Sequence, residues 1–267
     1  MAKQVAKPTA ANKIVPADAD YLEQIERDAG RGQAKHAEDK ILPFLRVLQP
    51  LSPPCIKKGP AYINGAEPGD FWLTTSSSPI IKGEDGVVFQ PCMYRREWIE
   101  WVPRDEGGGF AGRWPYNYEA GKNSGLPDDA ARKENAFGWY REESGHDLVD
   151  TIYFIGNVWR DGRPEPYVMP FQGTAHKLGR SWNNQLGAMR TPKGNSASLY
   201  YMMWLFTTHM TTNDKGSWYL PRYAPNGLAN KEEYFAGVAL CSQCERDEKQ
   251  IRETQRDAVV SEDSETM

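Results

Sequence analysis

The residues of this chain whose types and spacing could do chemistry are concentrated in Met93–Arg113, MYRREWIEWVPRDEGGGFAGR. On a period of two, Tyr94, Arg96, Trp98 and Glu100 share one face of a strand, and Arg95, Glu97, Ile99 and Trp101 share the other. Three arginines, Arg95, Arg96 and Arg104, lie among Tyr94, Trp98 and Trp101. Flat π surfaces beside fixed positive charge can stack bases while holding phosphates. The competing reading is a surface strand with ordinary cation–π and cross-strand pairs. The nucleic-acid reading places Tyr94, Arg95, Arg96, Trp98, Trp101 and Arg104 at the centre of a binding face. Lys177 and Arg180, on the polar side of a neighbouring helix, are expected to add phosphate contacts. Trp98 and Arg96 are expected to meet the ligand, and Trp101, which shares a face with Ile99, to be the buried tryptophan.

Other chemistries find less support. There is no P-loop, no HExxH and no GxSxG. Gly107, Gly109 and Gly112 match GxGxxG, but Arg113-Trp114-Pro115 follows instead of a helix, so the dinucleotide fingerprint fails in its context. The histidines, His36, His146, His176 and His209, are scattered. Cys241-x-x-Cys244 is half of a zinc motif with no second pair behind it, and Cys55 and Cys92 could complete it only through folding. The expectation is therefore a protein without catalytic residues, metal or cofactor.

These residues must be positioned by elements that the rest of the chain makes legible. Aromatic residues are 12% of the 267, and many sit beside Arg, Lys, Gly or Pro rather than inside apolar runs. With 24 Gly and 19 Pro, the chain reads as rich in strands and loops. Strands are predicted at Phe71–Thr75, Val87–Trp101, Thr151–Trp159, Tyr167–Phe171, Leu199–His209 and Ser217–Tyr223, with turns at Asn64-Gly65, Asp161-Gly162 and Asn213–Gly216. Leu178, Trp182, Leu186 and Met189 recur at helical spacing within Thr174–Arg190, and Lys231–Gln255 reads as a C-terminal helix. Pro103–Asp150 reads as a long irregular insertion with a helix at Asp128–Trp139, either a lid over a groove or a subdomain with its own small core. Three regions are expected: a flexible basic arm with a short helix at Ala19–Ala29 (1–40), one nucleic-acid-binding domain (41–240), and the helix end with an acidic tail (241–267).

Charge is segregated along the chain. The net charge is −4, yet Cys241–Met267 alone carries eight acids against four bases, so the remainder is close to neutral. No apolar run approaches a membrane span, and Met1–Pro16 has no apolar segment of the signal-peptide kind. The expected location is cytoplasmic, with free thiols.

The stretches HKLGRSWNNQL, YYMMWLFTT, NDKGSWYLPRY and NKEEYFAGVAL follow one another in the second half. With Ala37–Pro53, the segment YINGAEPGD and the C-x-Y-x-R-x-W run of the first half, they resemble bacteriophage single-stranded DNA-binding proteins over roughly residues 20–240. The resemblance implies a mainly β fold, an OB-like β-barrel with one or two peripheral helices. It implies non-specific coating of single-stranded DNA during viral replication or recombination, in the host cytoplasm. It also implies an acidic C-terminal tail that competes with DNA and recruits replication proteins. This tail ends Glu265-Thr266-Met267, without the terminal aromatic usual in such proteins. The alternative function is that of a phage structural or assembly protein that does not bind nucleic acid.

Overall fold

The computed structural model describes residues 27, 42–74, 76–77, 79–117, 125–133, 138–214 and 216–247. The chain divides into two units, Met1–Lys40 and Ile41–Met267. Of the first, only Arg27 is described, in a helix. The rest of the basic arm and of its short helix lies outside the described residues, as does the acidic tail.

The second unit is mainly β. Its strands are β1 (Leu45–Val47), β2 (Phe71–Leu73), β3 (Ile80–Ile81), β4 (Val87–Val102), β5 (Gly109–Pro115), β6 (Ala130–Arg132), β7 (Trp139–Arg141), β8 (Asp147–Arg160), β9 (Arg163–Phe171), β10 (Met202–Asn213) and β11 (Gly216–Leu228). Two α-helices accompany them among its described residues, α1 (His176–Ala188) and α2 (231–247). The main sheet runs β11-β10-β4-β8-β7-β6, with β5 beside β4 and β9 beside β8, and β1-β2-β3 form a second sheet.

Both sheets are antiparallel and open, and no closed barrel is found among the described residues, so the expected OB-like barrel gives way to this architecture. The reason lies in the lengths of β4 and β8. Along one edge β4 takes β10 at Val87–Phe89 and then β5 from Glu97 onward, so the sheet branches instead of returning on itself. β11 ends the sheet, and Pro221 and Pro225 withhold amide donors from this long edge. At Tyr219 the edge is occupied by a side chain. The Gln49 amide donates to Tyr219 O at 2.9 Å and accepts from Tyr219 N–H at 2.9 Å, as a strand would.

Turn chemistry follows the sequence. Asp161 (φ 50°) and Gly162 (φ 74°) make a two-residue turn that closes the β8–β9 hairpin at Arg160 and Arg163. Gly107 (φ 105°) and Gly109 (φ 128°) turn the chain from β4 into β5, so the glycine cluster serves a hairpin.

The core gathers around Trp182 of α1, whose exposure is 0%. Its ring meets Phe154 at 4.2 Å, Phe206 at 4.9 Å and Trp204 at 5.7 Å. Leu186 is buried with it, and Leu178 and Met189 pack at its margin, so the periodic face read from the sequence is the buried one. A second cluster, Cys92, Ile155, Leu240 and Cys244, packs α2 against β4 and β8. The buried Gln90 ties this cluster together. Its amide donates to Tyr200 O and Glu233 O, and its carbonyl accepts from Asn157 and Trp159.

Two expectations are corrected. Leu199–Tyr201 is a 3₁₀ turn, and β10 begins only at Met202. The described residues of the segment 103–150 are not irregular, because they supply β5, β6 and β7 to the main sheet. Ala130–Arg132 is a strand where a helix was expected, while 134–137 lie outside the described residues.

Candidate nucleic-acid interface

The two faces of β4 have opposite fates. Tyr94, Arg96, Trp98 and Glu100 share a face as their spacing requires, and that face is filled. Trp98 is 3% exposed, stacked on Tyr116 at 6.3 Å and edge-on to Trp139 at 6.5 Å. Tyr94 meets Phe154 edge-on at 5.3 Å. The insertion therefore supplies a small core for this face.

The charges here are matched internally. The Arg96 guanidinium donates to both carboxylate oxygens of Asp150, at 2.8 and 2.5 Å, and lies 4.0 Å over the Tyr116 ring. His176 Nε2 is 3.2 Å from the same carboxylate. Burial would raise the Asp150 carboxyl, but the hydrogen bonds from Arg96, with His176 close by, outweigh it and hold it at about 2. Glu100 is buried, accepts Trp114 Nε1–H at 3.0 Å, and lies 2.7 Å from His146 Nδ1. Burial would raise its carboxyl too, yet the indole and imidazole contacts, with Arg141 beyond, leave it below the usual carboxylate range. A strand phosphate would have to displace these carboxylates to reach Arg96. Trp98, expected to meet ligand, is instead buried beneath the insertion strands.

The other face opens into a groove of about 630 Å³. One wall carries Trp101 and Phe110, with ring centroids 6.2 Å apart, together with Arg113 and Tyr153. A bulge in the β4–β5 pairing makes this wall. Ile99 faces Arg113, but Trp101 faces Phe110, skipping Ala111, so Phe110 and Arg113 stand on one side. The Arg113 guanidinium lies 5.7 Å from the Phe110 centroid and 3.8 Å from a Glu97 oxygen. The second wall carries Phe44, Arg46 and Trp72 of the small sheet, and β11 adds Trp218 and Tyr219. Arg46 stacks over Phe44 at 4.7 Å. None of the described residues lining the groove is an acid, and Glu97, outside that lining, pairs with Arg113.

The residues singled out from sequence therefore separate. Trp101 lines the groove. Tyr94, Arg96 and Trp98 belong to the filled face. Arg95 is half-buried opposite Tyr153 on β8. Arg104 opens a 3₁₀ turn, and its side chain is outside the described residues. Lys177 and Arg180 are exposed on α1; the groove is bounded by Gln172–Ala175 just before that helix and reaches neither of them. Sequence reasoning missed Arg46, Trp72, Phe110, Arg113, Tyr153, Trp218 and Tyr219. Phe110 and Arg113 lay inside the stretch first singled out, but alternation assigns them to opposite faces, and only the bulge unites them.

Among the described residues no group of three or more His, Cys, Asp or Glu side chains could hold a metal ion. The four cysteines are free thiols; Cys92 and Cys244 are buried, and burial pushes the Cys92 thiol up. No helix of the described residues is long and apolar enough to cross a membrane.

None of the curated proteins and none of the solved structures matches the chain. A family model, described as Pam3 phage gp34-like protein, matches residues 9–250. That match spans most of the sequence, and the chain belongs to the Pam3 phage gp34-like family of phage proteins.

Proposed function

We propose that this phage protein binds single-stranded DNA without catalysing a reaction on it, the strand lying in the groove between β5, β8, the small sheet and β11. The observation that supports this most is the lining itself: aromatic rings and two arginines, with no acid among the described lining residues. Every base has a π face, so rings offer sequence-tolerant stacking worth roughly 1–3 kcal/mol per base. Guanidinium groups supply a phosphate term that salt weakens. In this reading the protein coats single strands during replication or recombination in the host cytoplasm, and its acidic tail meets replication proteins. Titrating intrinsic tryptophan fluorescence with oligo-dT is the test. Saturable quenching that Trp101→Ala shifts to higher oligo-dT concentration is the expected result, and an unchanged spectrum at saturating oligo-dT overturns the reading.

A second reading, a structural or assembly protein of the phage particle, draws on a different observation. Leu51 at the groove rim is 78% exposed and Phe110 is 57% exposed, which suits a subunit seam as well as a strand. An ssDNA-cellulose column separates the two. A DNA binder elutes late and salt-dependently, and a particle subunit elutes early.

A further inference from the structure

We propose that Arg46, Tyr153 and Arg113 form a phosphate clamp inside the groove, gripping a backbone phosphodiester of the bound strand while the aromatic rings take its bases. This rests on the single-strand reading and adds to it a place where the backbone is held. The three residues come from three elements that the fold brings to one cavity. Tyr153 stands on β8. On one side β9 and then the small sheet carry Arg46, and Phe44 bridges to Val168 of β9. On the other side β4 and then β5 carry Arg113. Tyr153 is thus the central residue, with one guanidinium on each flank.

The electrostatics agree with this convergence. Burial, with Glu97 adding to it, pushes the Tyr153 phenol up to about 12, and Arg113 and Arg46 both act in the opposite direction. Both guanidinium groups line the same cavity as this phenol and lie within electrostatic range of it. The phenol keeps its proton at neutral pH and can donate a hydrogen bond to an anion.

The two arginines differ from Arg96 and Arg141 in their partners. Arg96 is bidentate on Asp150, and Arg141 holds both oxygens of Asp129 at 2.8 and 2.9 Å. Arg46 is in contact with the Phe44 ring and makes no ion pair with a described residue. Arg113 touches Glu97 only at 3.8 Å, and its side chain is 62% exposed, so it can turn toward the cavity. A guanidinium backed by a ring suits a phosphodiester, whose two non-bridging oxygens accept two parallel hydrogen bonds from its N–H edge.

The experiment measures oligo-dT lacking a terminal phosphate against the full chain by tryptophan fluorescence over a range of salt, with inorganic phosphate titrated separately by calorimetry. The variants are Arg46→Gln, Arg113→Gln, Tyr153→Phe and Trp101→Ala, each with its melting temperature, plus Arg46→Lys and Arg113→Lys. The glutamine variants should bind several-fold more weakly and flatten the slope of log affinity against log salt by about 0.7 each. Lysine should restore the slope, because it restores the charge. Trp101→Ala should weaken binding and leave the slope unchanged. If the arginine variants keep both affinity and slope while Trp101→Ala loses binding, the clamp is wrong and the stacking groove stands. If oligo-dT does not bind but inorganic phosphate does, and needs both arginines, the clamp holds a free anion; the backbone assignment and the single-strand reading then fall together. If neither binds, both are overturned.

Discussion

Trp98 and Trp101, three residues apart on one strand, should behave as different kinds of residue. Trp98 is enclosed by Tyr116 and Trp139, so Trp98→Ala should leave a cavity and cost about 3–5 kcal/mol of stability. A thermal melt reads this directly. Trp101→Ala removes a groove ring, and its melting temperature should stay near the parent's while oligo-dT affinity falls by roughly 1–3 kcal/mol. Equal destabilisation of the two would overturn the assignment of faces. Asp150 has its own signature. Its carboxyl sits at about 2 in the fold against an ordinary 3.8, so its contribution is present above pH 3.8 and fades as pH falls toward 2. That contribution is on the order of 2 kcal/mol. Asp150→Asn should flatten the acid limb of a stability–pH profile between these values.

Among the elements, the β4–β8 pair bears most of the architecture, and its weak tolerance is at Gly156. A Cβ there would lie 2.2 Å from Gln90 O and 2.6 Å from Phe89 Cζ. Both neighbours are anchored, Phe89 in the core and Gln90 by its amide hydrogen bonds to Tyr200 and Glu233. Gly156→Ala should therefore destabilise by roughly 1–3 kcal/mol or block folding, as overpacking does. Denaturant unfolding measures it, and a melting midpoint like the parent's would count against the packing described. α2 is set at its start by Asn230 and Glu233. The Asn230 side chain accepts Glu233 N–H at 3.0 Å, and Glu233 accepts Asn230 N–H at 2.7 Å. Such a reciprocal cap explains why the helix begins where the periodic pattern does.

For the whole molecule, the separation of charge sets a prediction about regulation. The tail Val259–Met267 lies outside the described residues, and its three charged positions, Glu262, Asp263 and Glu265, are all negative. A groove lined by two arginines, with no acid among its described lining residues, is an electrostatic counterpart for it. Deleting Val259–Met267 should tighten oligo-dT binding at low salt, and the gain should shrink as salt rises and screens the competition. Affinity unchanged at every salt concentration would sink this hypothesis.

Much of the scaffold was determined by the sequence itself. The hairpin turn at Asp161-Gly162, the helix through Leu178, Trp182 and Leu186, and the strands around Val87–Trp101 and Thr151–Trp159 follow from local turn chemistry and periodicity, which act over a few residues. The aromatic and basic character of the β4 region was legible as well. Which of its faces is wet was decided only by tertiary structure. Alternation gives Trp98 and Trp101 to opposite sides but cannot say which side the insertion covers, because that depends on β5 and β7 arriving from elsewhere in the chain. The bulge at Ala111 and the arrival of Arg46 from the small sheet are of the same kind. Each is a long-range pairing whose register no local pattern encodes.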